Sequence, residues 1–379
     1  MARSGIDEFY EIIRLILAKF YAEQAGIAKL PDLETCNSLL NQNGREIVDI
    51  LDGVLRIQTP VDLFPELQTI FGELSIQGQD FTALDEVFEQ LTSRSYKSDK
   101  GQFFTPRHVV DMCVEAIDPK PYETICDPAC GSGAFLKSAH SYTTKRYGAT
   151  PSLFGFDYSH RAIQVAKTVS LISTGGKITV EQVDSLNVSS WLNEADSGLT
   201  IEKIMGEGFD GFDIIVTNPP FAGDVGNEAF ASSYDLASIY PRRLERDILF
   251  VERCIRLLKI GGRLAIVLPD NKVSSRVFRD LRIWLGKHAL VRSVVSLHRY
   301  TFLPYTGQKA SIIFATKEHP SMKPYASEVS FFRSDKPGKT SNGSFIYKSN
   351  DQVEGRPYEI LDHDLQEAVA KIKESMCVQ

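Results

Sequence analysis

Thr124-Ile125-Cys126-Asp127-Pro128-Ala129-Cys130-Gly131-Ser132-Gly133-Ala134-Phe135-Leu136 is the stretch that sets the fold. A short apolar strand runs into a loop carrying Gly131 and Gly133, and a helical run follows. Glycines there let the backbone come close to a ligand at a helix N-terminus, the arrangement that holds nucleotide-like cofactors. The dinucleotide fingerprint needs a third glycine at 136, where Leu136 stands, so a nicotinamide enzyme is disfavoured. Working outward, Leu153-Phe154-Gly155-Phe156-Asp157 reads as a second strand ending in a carboxylate placed to accept both hydroxyls of a ribose. Lys177–Val183 reads as a third strand, ending at Asp184, which is placed to meet an adenine amino group. The cofactor candidates here are Asp127, Ala129, Gly131, Ser132, Gly133, Ala134, Asp157 and Asp184.

A fourth apolar strand, Phe212–Thr217, is closed by Asn218-Pro219-Pro220-Phe221. Pro219 fixes its own φ and restricts Asn218 to extended geometry, so the Asn218 side-chain oxygen and a neighbouring carbonyl can face one pocket. Two acceptors then converge on one NH₂ group, and Phe221 can lie against the flat face of whatever carries that amine. Alone, the tetrapeptide is equally an Asn-Pro turn after a central strand. Strands are expected at 124–127, 153–157, 177–183, 212–217, 262–268, 290–297 and 309–316, alternating with helical stretches. That alternation implies a mostly parallel sheet covered on both faces, with ligand sites at the carboxyl ends of the strands.

Upstream stands Gly101-Gln102-Phe103-Phe104-Thr105-Pro106-Arg107. With this segment, the glycine loop and Asn218–Phe221 in that order, the chain resembles the catalytic modification subunit of type I restriction-modification systems, in the gamma class of adenine-N6 DNA methyltransferases. Gly261–Asp270 resembles that family's fifth strand and Leu-Pro loop, and Thr301–Phe314 the hairpin carrying a second base-contacting aromatic, here Phe302. The resemblance runs from about Phe81 to the region of Asp362. It implies a class I S-adenosylmethionine-dependent methyltransferase fold, α/β and Rossmann-like with a seven-stranded sheet, and a segment Gln102, Phe103, Phe104, Thr105, Pro106 and Arg107 that covers S-adenosylmethionine. It also implies a catalytic set of Asn218, Pro219, Pro220, Phe221 and Phe302 that receives an adenine flipped out of double-stranded DNA. Asn-Pro-Pro-aromatic is shared with enzymes acting on RNA guanine N2 and protein glutamine; Gln102–Arg107 is the more specific signal. A catalytically silent subunit that only holds the cofactor is the contrasting class, against which the intact tetrapeptide argues.

The chain has 379 residues, 43% hydrophobic and 24% charged, the proportions of a soluble globular protein with room for one large α/β domain and a smaller partner. No apolar run reaches the roughly 18 residues of a membrane span and no secretory signal opens the sequence, so a cytoplasmic protein is expected. The six cysteines form no Cys-x-x-Cys pair and the histidines no ligand spacing, so they read as packing residues and no metal is implied. Residues 1–96 hold 7 basic and 16 acidic side chains, whereas 271–317 hold 9 basic and 1 acidic. Phosphate contact is therefore expected from the second stretch, Arg276, Arg279 and Arg282 among it.

The pattern divides the chain into a helical domain at 1–96, a catalytic domain at 97–318 and an extension at 319–379 with a terminal helix. Helices are expected near 6–24, 33–41, 45–57 and 82–93, with Pro60 and Pro65 as breaks, and 319–355 reads as a poorly packed excursion. A sequence-reading DNA domain needs on the order of 100 residues, and no unassigned stretch offers them. In the resembled family specificity comes from a separate subunit, and a second modification subunit and a restriction subunit are the further partners the resemblance implies.

Overall fold

The computed structural model describes residues 7–72, 75, 76, 87, 104–187, 209–221, 223–225, 229–241, 244–319, 328–348 and 360–377. Helices α1 (Glu8–Gln24), α2 (Leu33–Gln42), α3 (Gly44–Ile47) and α4 (Phe64–Gly72) precede α5 (Arg107–Ile117). Then come β1 (Thr124–Asp127), α6 (Ala134–Tyr147), β2 (Ser152–Asp157), α7 (His160–Thr174), β3 (Ile178–Gln182) and β4 (Phe212–Thr217). The chain continues with α8 (Asp235–Ile239), α9 (Arg246–Leu257), β5 (Leu258–Pro269), α10 (Asp270–Ser274), α11 (Arg279–His288), β6 (Ala289–Ser296), β7 (Ala310–Lys317), β8 (Ser330–Arg333) and α12 (Leu365–Cys377).

The strands form one sheet in the order β3-β2-β1-β4-β5-β7-β6-β8. Strands β1 to β5 pair in parallel, β7 runs antiparallel to both β5 and β6, and β8 is parallel to β6. Alternate residues feed opposite faces. Ile125, Ile214, Val216, Ala265 and Val267 pack toward α5, α6 and α12, while Cys126, Ile215, Leu264, Ile266 and Leu268 pack toward α9 and α11. Burial on both faces explains why these strands read as unbroken apolar runs. The N-terminal helices bury their own apolar faces against Val165, Val169 and Leu171 of α7. Arg161 bonds Asp7 (2.9 Å) and His160 bonds Asp52 (3.0 Å), tying α7 to that helical layer.

Three expectations are corrected. The sheet has eight strands rather than seven, because Ser330–Arg333 adds to β6 beyond the expected domain edge at 318. The stretch 319–355 is not a loose excursion where it is described: bridges Pro337↔His363, Lys339↔Phe345 and Tyr347↔Leu361 fold the extension on itself, β8 pairing with β6 and Lys339 donating to the Leu303 carbonyl join it to the catalytic domain, and Leu365, Ala368, Val369 and Ile372 of α12 enter the core. In the helical region, 45–57 contributes only the short α3, and Pro65 stands in the first turn of α4 rather than breaking the chain, a position where its missing N–H costs nothing. The expected helix at 82–93 lies outside the described residues except at Val87.

Candidate active site

Because β1 to β4 are parallel and adjacent, their carboxyl ends open on one edge of the sheet. There the sheet order sets Asp184, Asp157, Asp127 and Asn218 side by side. The loop after β1 is held by β2. Cys130 N donates to the Phe156 carbonyl (2.9 Å) and Gly131 N to Asp157 Oδ2 (3.0 Å), while Asp157 Oδ1 accepts from Ser159 N (2.8 Å). Asp127 Oδ1 accepts from Ala129 N (3.1 Å), and Asp184 Oδ1 from Leu186 N (3.1 Å).

Gly131 and Gly133 have φ of +52° and +79°, and Gly133 caps the N-terminus of α6. A Cβ at Gly131 would meet nothing within 4 Å, so the loop's outer side is open space where a ligand can approach the backbone. Gly155, which the sequence reading passed over, allows the loop to seat. A Cβ there would stand 2.9 Å from Leu136 Cδ1 and 3.1 Å from Cys130 Sγ. A glycine inside a strand is the available signal for such close approach.

Burial dominates the electrostatics. Asp127 and Asp157 are 1% and 4% exposed, and burial pushes both carboxyls up, Asp127 to about 7 with Asp157 adding to the rise. Two buried acids beneath the glycine loop make that edge of the sheet favourable to a cation. Burial and the two neighbouring carboxylates also push the Cys130 thiol well above its usual range. Cys36, Cys113, Cys126, Cys130 and Cys254 are free and buried, and no group of His, Cys, Asp or Glu among the described residues is placed to hold a metal ion.

At the end of β4, Asn218 Nδ2 donates to Thr105 Oγ1 (2.9 Å). This bond joins the segment before α5 to the tetrapeptide and fixes the amide so that Oδ1 lies on the side away from Thr105. Arg107 Nε meets Asp111 (3.2 Å), which accepts from Ser138 Oγ of α6 (2.7 Å), so Phe104–Arg107 is tied to the glycine-loop helix as well. Gln102 and Phe103 lie outside the described residues. Phe221 and Phe302 are brought together, ring centroids 5.7 Å apart and edge to face. Both are buried, at 3% and 1% exposure, so in this structure the two rings cover each other and neither presents an open face.

The loop after the tetrapeptide rests on the entry to α9. Arg246 N donates to the Gly223 carbonyl (2.9 Å), Val225 N to the Leu244 carbonyl (3.1 Å), and Asp224 bridges Glu245. Beneath it Lys272 Nζ bonds Glu245 Oε2 (2.6 Å), stands 3.4 Å from Asp247 Oδ2 and lies 4.0 Å over the Phe278 ring. Nothing in local sequence announces this buried network.

A match to the family model for N-6 DNA methylase covers residues 79–353. The chain belongs to the N-6 DNA methylase family. Among curated members, the EcoEI type I restriction enzyme methylase subunit of Escherichia coli is 29% identical over 274 residues, covering 67% of this chain and 51% of that protein. The StySPI methylase subunit of Salmonella potsdam is 27% identical over 249 residues, covering 63% and 44%. The chain thus spans about half the length of the curated relatives it matches. Among solved structures, the type I restriction-modification methyltransferase subunit from Streptococcus thermophilus superposes with a TM-score of 0.59 at 16% identity, covering 97% of this chain and 75% of that one. That likeness supports the class I methyltransferase fold expected from the sequence. The cofactor of this fold and family is S-adenosylmethionine. The open glycine loop, the buried acids and Asp184 suit its cationic, nucleoside-bearing structure.

Proposed function

We propose that the chain transfers the methyl group of S-adenosylmethionine to N6 of an adenine flipped from double-stranded DNA, as the modification subunit of a restriction-modification complex. The observation that carries this reading is the Asn218 amide, oriented by Thr105 at the end of β4 and one strand away from the glycine loop. Bound S-adenosylmethionine supplies an electrophilic methyl group. The residues Asp127, Ala129, Gly131, Ser132, Gly133, Ala134, Asp157 and Asp184 hold that cofactor, and the segment through Phe104–Arg107 covers it.

An exocyclic amine conjugated with its ring is a poor nucleophile. Asn218 Oδ1 and the Pro219 carbonyl accept its two hydrogens, drawing the nitrogen toward a tetrahedral geometry and aiming its lone pair. This is catalysis by positioning and by fixed dipoles: the N–C bond would form as the methyl–sulfonium bond breaks to leave the neutral thioether, and the nitrogen's surplus proton would pass to solvent afterwards, so no strong base is needed before attack. Pro219 and Pro220 keep the two acceptors rigid. Phe221 stacks on the extruded base, offsetting the few kcal/mol of unpairing, with Phe302 behind it.

Of the basic stretch, Lys272 is buried and paired, Arg282 donates to the Lys272 and Ser275 carbonyls, and Lys317 donates to the Leu258 carbonyl. Arg276, Arg279, Lys287 and Arg299 remain exposed for phosphate contact. Sequence choice is assigned to a separate specificity subunit, with a second modification subunit and a restriction subunit as further partners. The test is transfer of radiolabelled methyl groups to DNA, RNA and protein, with and without a specificity subunit. Label on adenine N6 of DNA, dependent on that subunit, is the expected result; label on RNA or protein alone overturns the proposal.

A further inference from the structure

The C-terminal stretch that follows β8 does more than extend the sheet. Asp364 accepts from Ser334 Oγ (2.7 Å), Asp335 N (2.7 Å) and Lys336 N (3.1 Å), pinning the described parts of a strap, 334–348 and 360–364, to each other. Within it Lys339 is 5% exposed, and its Nζ donates to the Leu303 carbonyl (2.6 Å), the residue next to Phe302. Gly343, at φ +89°, presses on the same loop: a Cβ there would stand 2.8 Å from Pro304 N and 3.1 Å from the Leu303 carbonyl carbon. The other end of the strap stacks His363 on His108 (centroids 5.1 Å apart), one residue beyond Phe104–Arg107. One element thus grips both the loop behind Phe221 and the helix that starts at the cofactor segment.

A lysine seldom gives up its hydration deep in a protein unless partners for its ammonium are built into the fold, and here the Leu303 carbonyl and the Phe345 ring, 5.3 Å from Nζ, are among them. The Leu303 carbonyl lies outside the turn bonds of its own loop, in which Leu303 N donates to the Tyr300 carbonyl, and Tyr305 N and Thr306 N donate to the Phe302 carbonyl. Lys339 is therefore a tether on this turn from outside its own loop. Phe302 in turn lies edge to face against Phe221. Building on the methyltransferase reading above, we propose that Lys339 is a positioning residue. It holds the Thr301–Pro304 turn, and through the Phe302–Phe221 contact it fixes the platform on which the target base stacks.

Hydrogen exchange on the full chain, with variants Lys339→Met, Lys339→Arg and Gly343→Ala, tests the anchor without any DNA partner. In Lys339→Met the amides of Leu303, Tyr305 and Thr306 should exchange roughly ten- to a hundredfold faster, the scale of a lost charge-assisted hydrogen bond, while those of β5 and α6 stay unchanged. Lys339→Arg should restore part of the protection, and Gly343→Ala should disturb the same amides by displacing the turn. Unchanged exchange at 303–306 in both Lys339→Met and Gly343→Ala overturns the anchor. The second arm is single-turnover methylation with the specificity subunit. There Lys339→Met should lower the rate by roughly tenfold or more at an unchanged affinity for S-adenosylmethionine. Faster exchange with an unaltered methylation rate overturns the positioning role. An unmutated chain that transfers no methyl group, while the exchange arm behaves as expected, supports the anchor and overturns the methyltransferase reading instead.

Discussion

Replacing Lys272 by Met should destabilise the protein in a way that depends on pH, because two carboxylates share its ammonium. Asp247 is fully buried, neither of its carboxyl oxygens has a hydrogen-bond partner among the described residues, and burial raises its carboxyl to about 7 from an ordinary 3.8 despite Lys272 at 3.4 Å. At about pH 6 Asp247 is largely protonated in both folded chains, so the substitution removes the Glu245 hydrogen bond and the contact with the Phe278 ring, on the order of 1 to 3 kcal/mol. A carboxyl raised on folding loses stability as pH climbs from its unfolded value to its folded one, and the loss levels off above that. In the unmutated protein the levelling comes near 7; without the lysine the folded carboxyl stays protonated to higher pH and the loss continues. Between pH 7 and that higher value the difference between the chains should widen by about 1.4 kcal/mol per pH unit. Asp127, also raised to about 7, titrates in both chains and cancels in the difference. Urea denaturation at about pH 6 and about pH 8 measures it, with Asp247→Asn in both backgrounds as the control that should remove the widening. The same destabilisation at both pH values would refute the reasoning, and so would widening that survives Asp247→Asn.

The remaining expectations concern the site edge. Asp157→Ala should weaken S-adenosylmethionine binding by about 1 to 3 kcal/mol in calorimetry, since the carboxylate both supports Gly131 and is assigned the ribose. Gly155→Ala forces a methyl group against Leu136 and Cys130, and thermal denaturation should show a cost of about 1 to 3 kcal/mol together with weaker cofactor binding; an unchanged midpoint would mean the loop has room to move. Asn218→Ala should cut single-turnover methylation severely at near-normal cofactor affinity, whereas Phe221→Ala should mainly weaken engagement of the target base, by about 1 to 3 kcal/mol. The isolated chain should bind DNA weakly and with steep salt dependence, and joint loss of Arg276 and Arg279 should reduce the salt slope by about 2; tight sequence-selective binding by the chain alone would contradict the assignment of specificity to a partner.

What the sequence made legible was set by how locally each feature is encoded. The five parallel strands, the glycine loop and the strand-end acids are runs of neighbouring residues whose periodicity and punctuation carry their own physical reason. All of them stand where expected, the acids on one edge of the sheet. The features that escaped are pairings across long separations. Thr105 was read only for its place in the cofactor segment, and that its hydroxyl accepts from the Asn218 amide, 113 residues away, could not be seen. Lys272 looked like part of a DNA-facing charge run, yet it is buried against Glu245 and Asp247. Composition made 319–355 look unpacked, because Ser, Lys, Pro and Gly signal loops; the described residues 328–348 are held instead by Asp364, by Lys339 on a distant carbonyl and by bridges to 361–363. In each case a polar side chain is held by a partner far along the chain, and Lys272 and Lys339 are buried by it. Such a group is costly unless satisfied, so a satisfied one records a constraint on the fold. The tethers found this way act on elements that adjoin the tetrapeptide: Thr105 on Asn218, Lys339 on the turn that carries Phe302, Lys272 on Glu245, which the loop after Phe221 bridges. A site that works by positioning needs the carbonyls and rings around one amine held to within a fraction of an ångström, and local sequence cannot hold them that closely. The long-range polar contacts can, which is why the part of the site least visible in the sequence is the part that fixes its geometry.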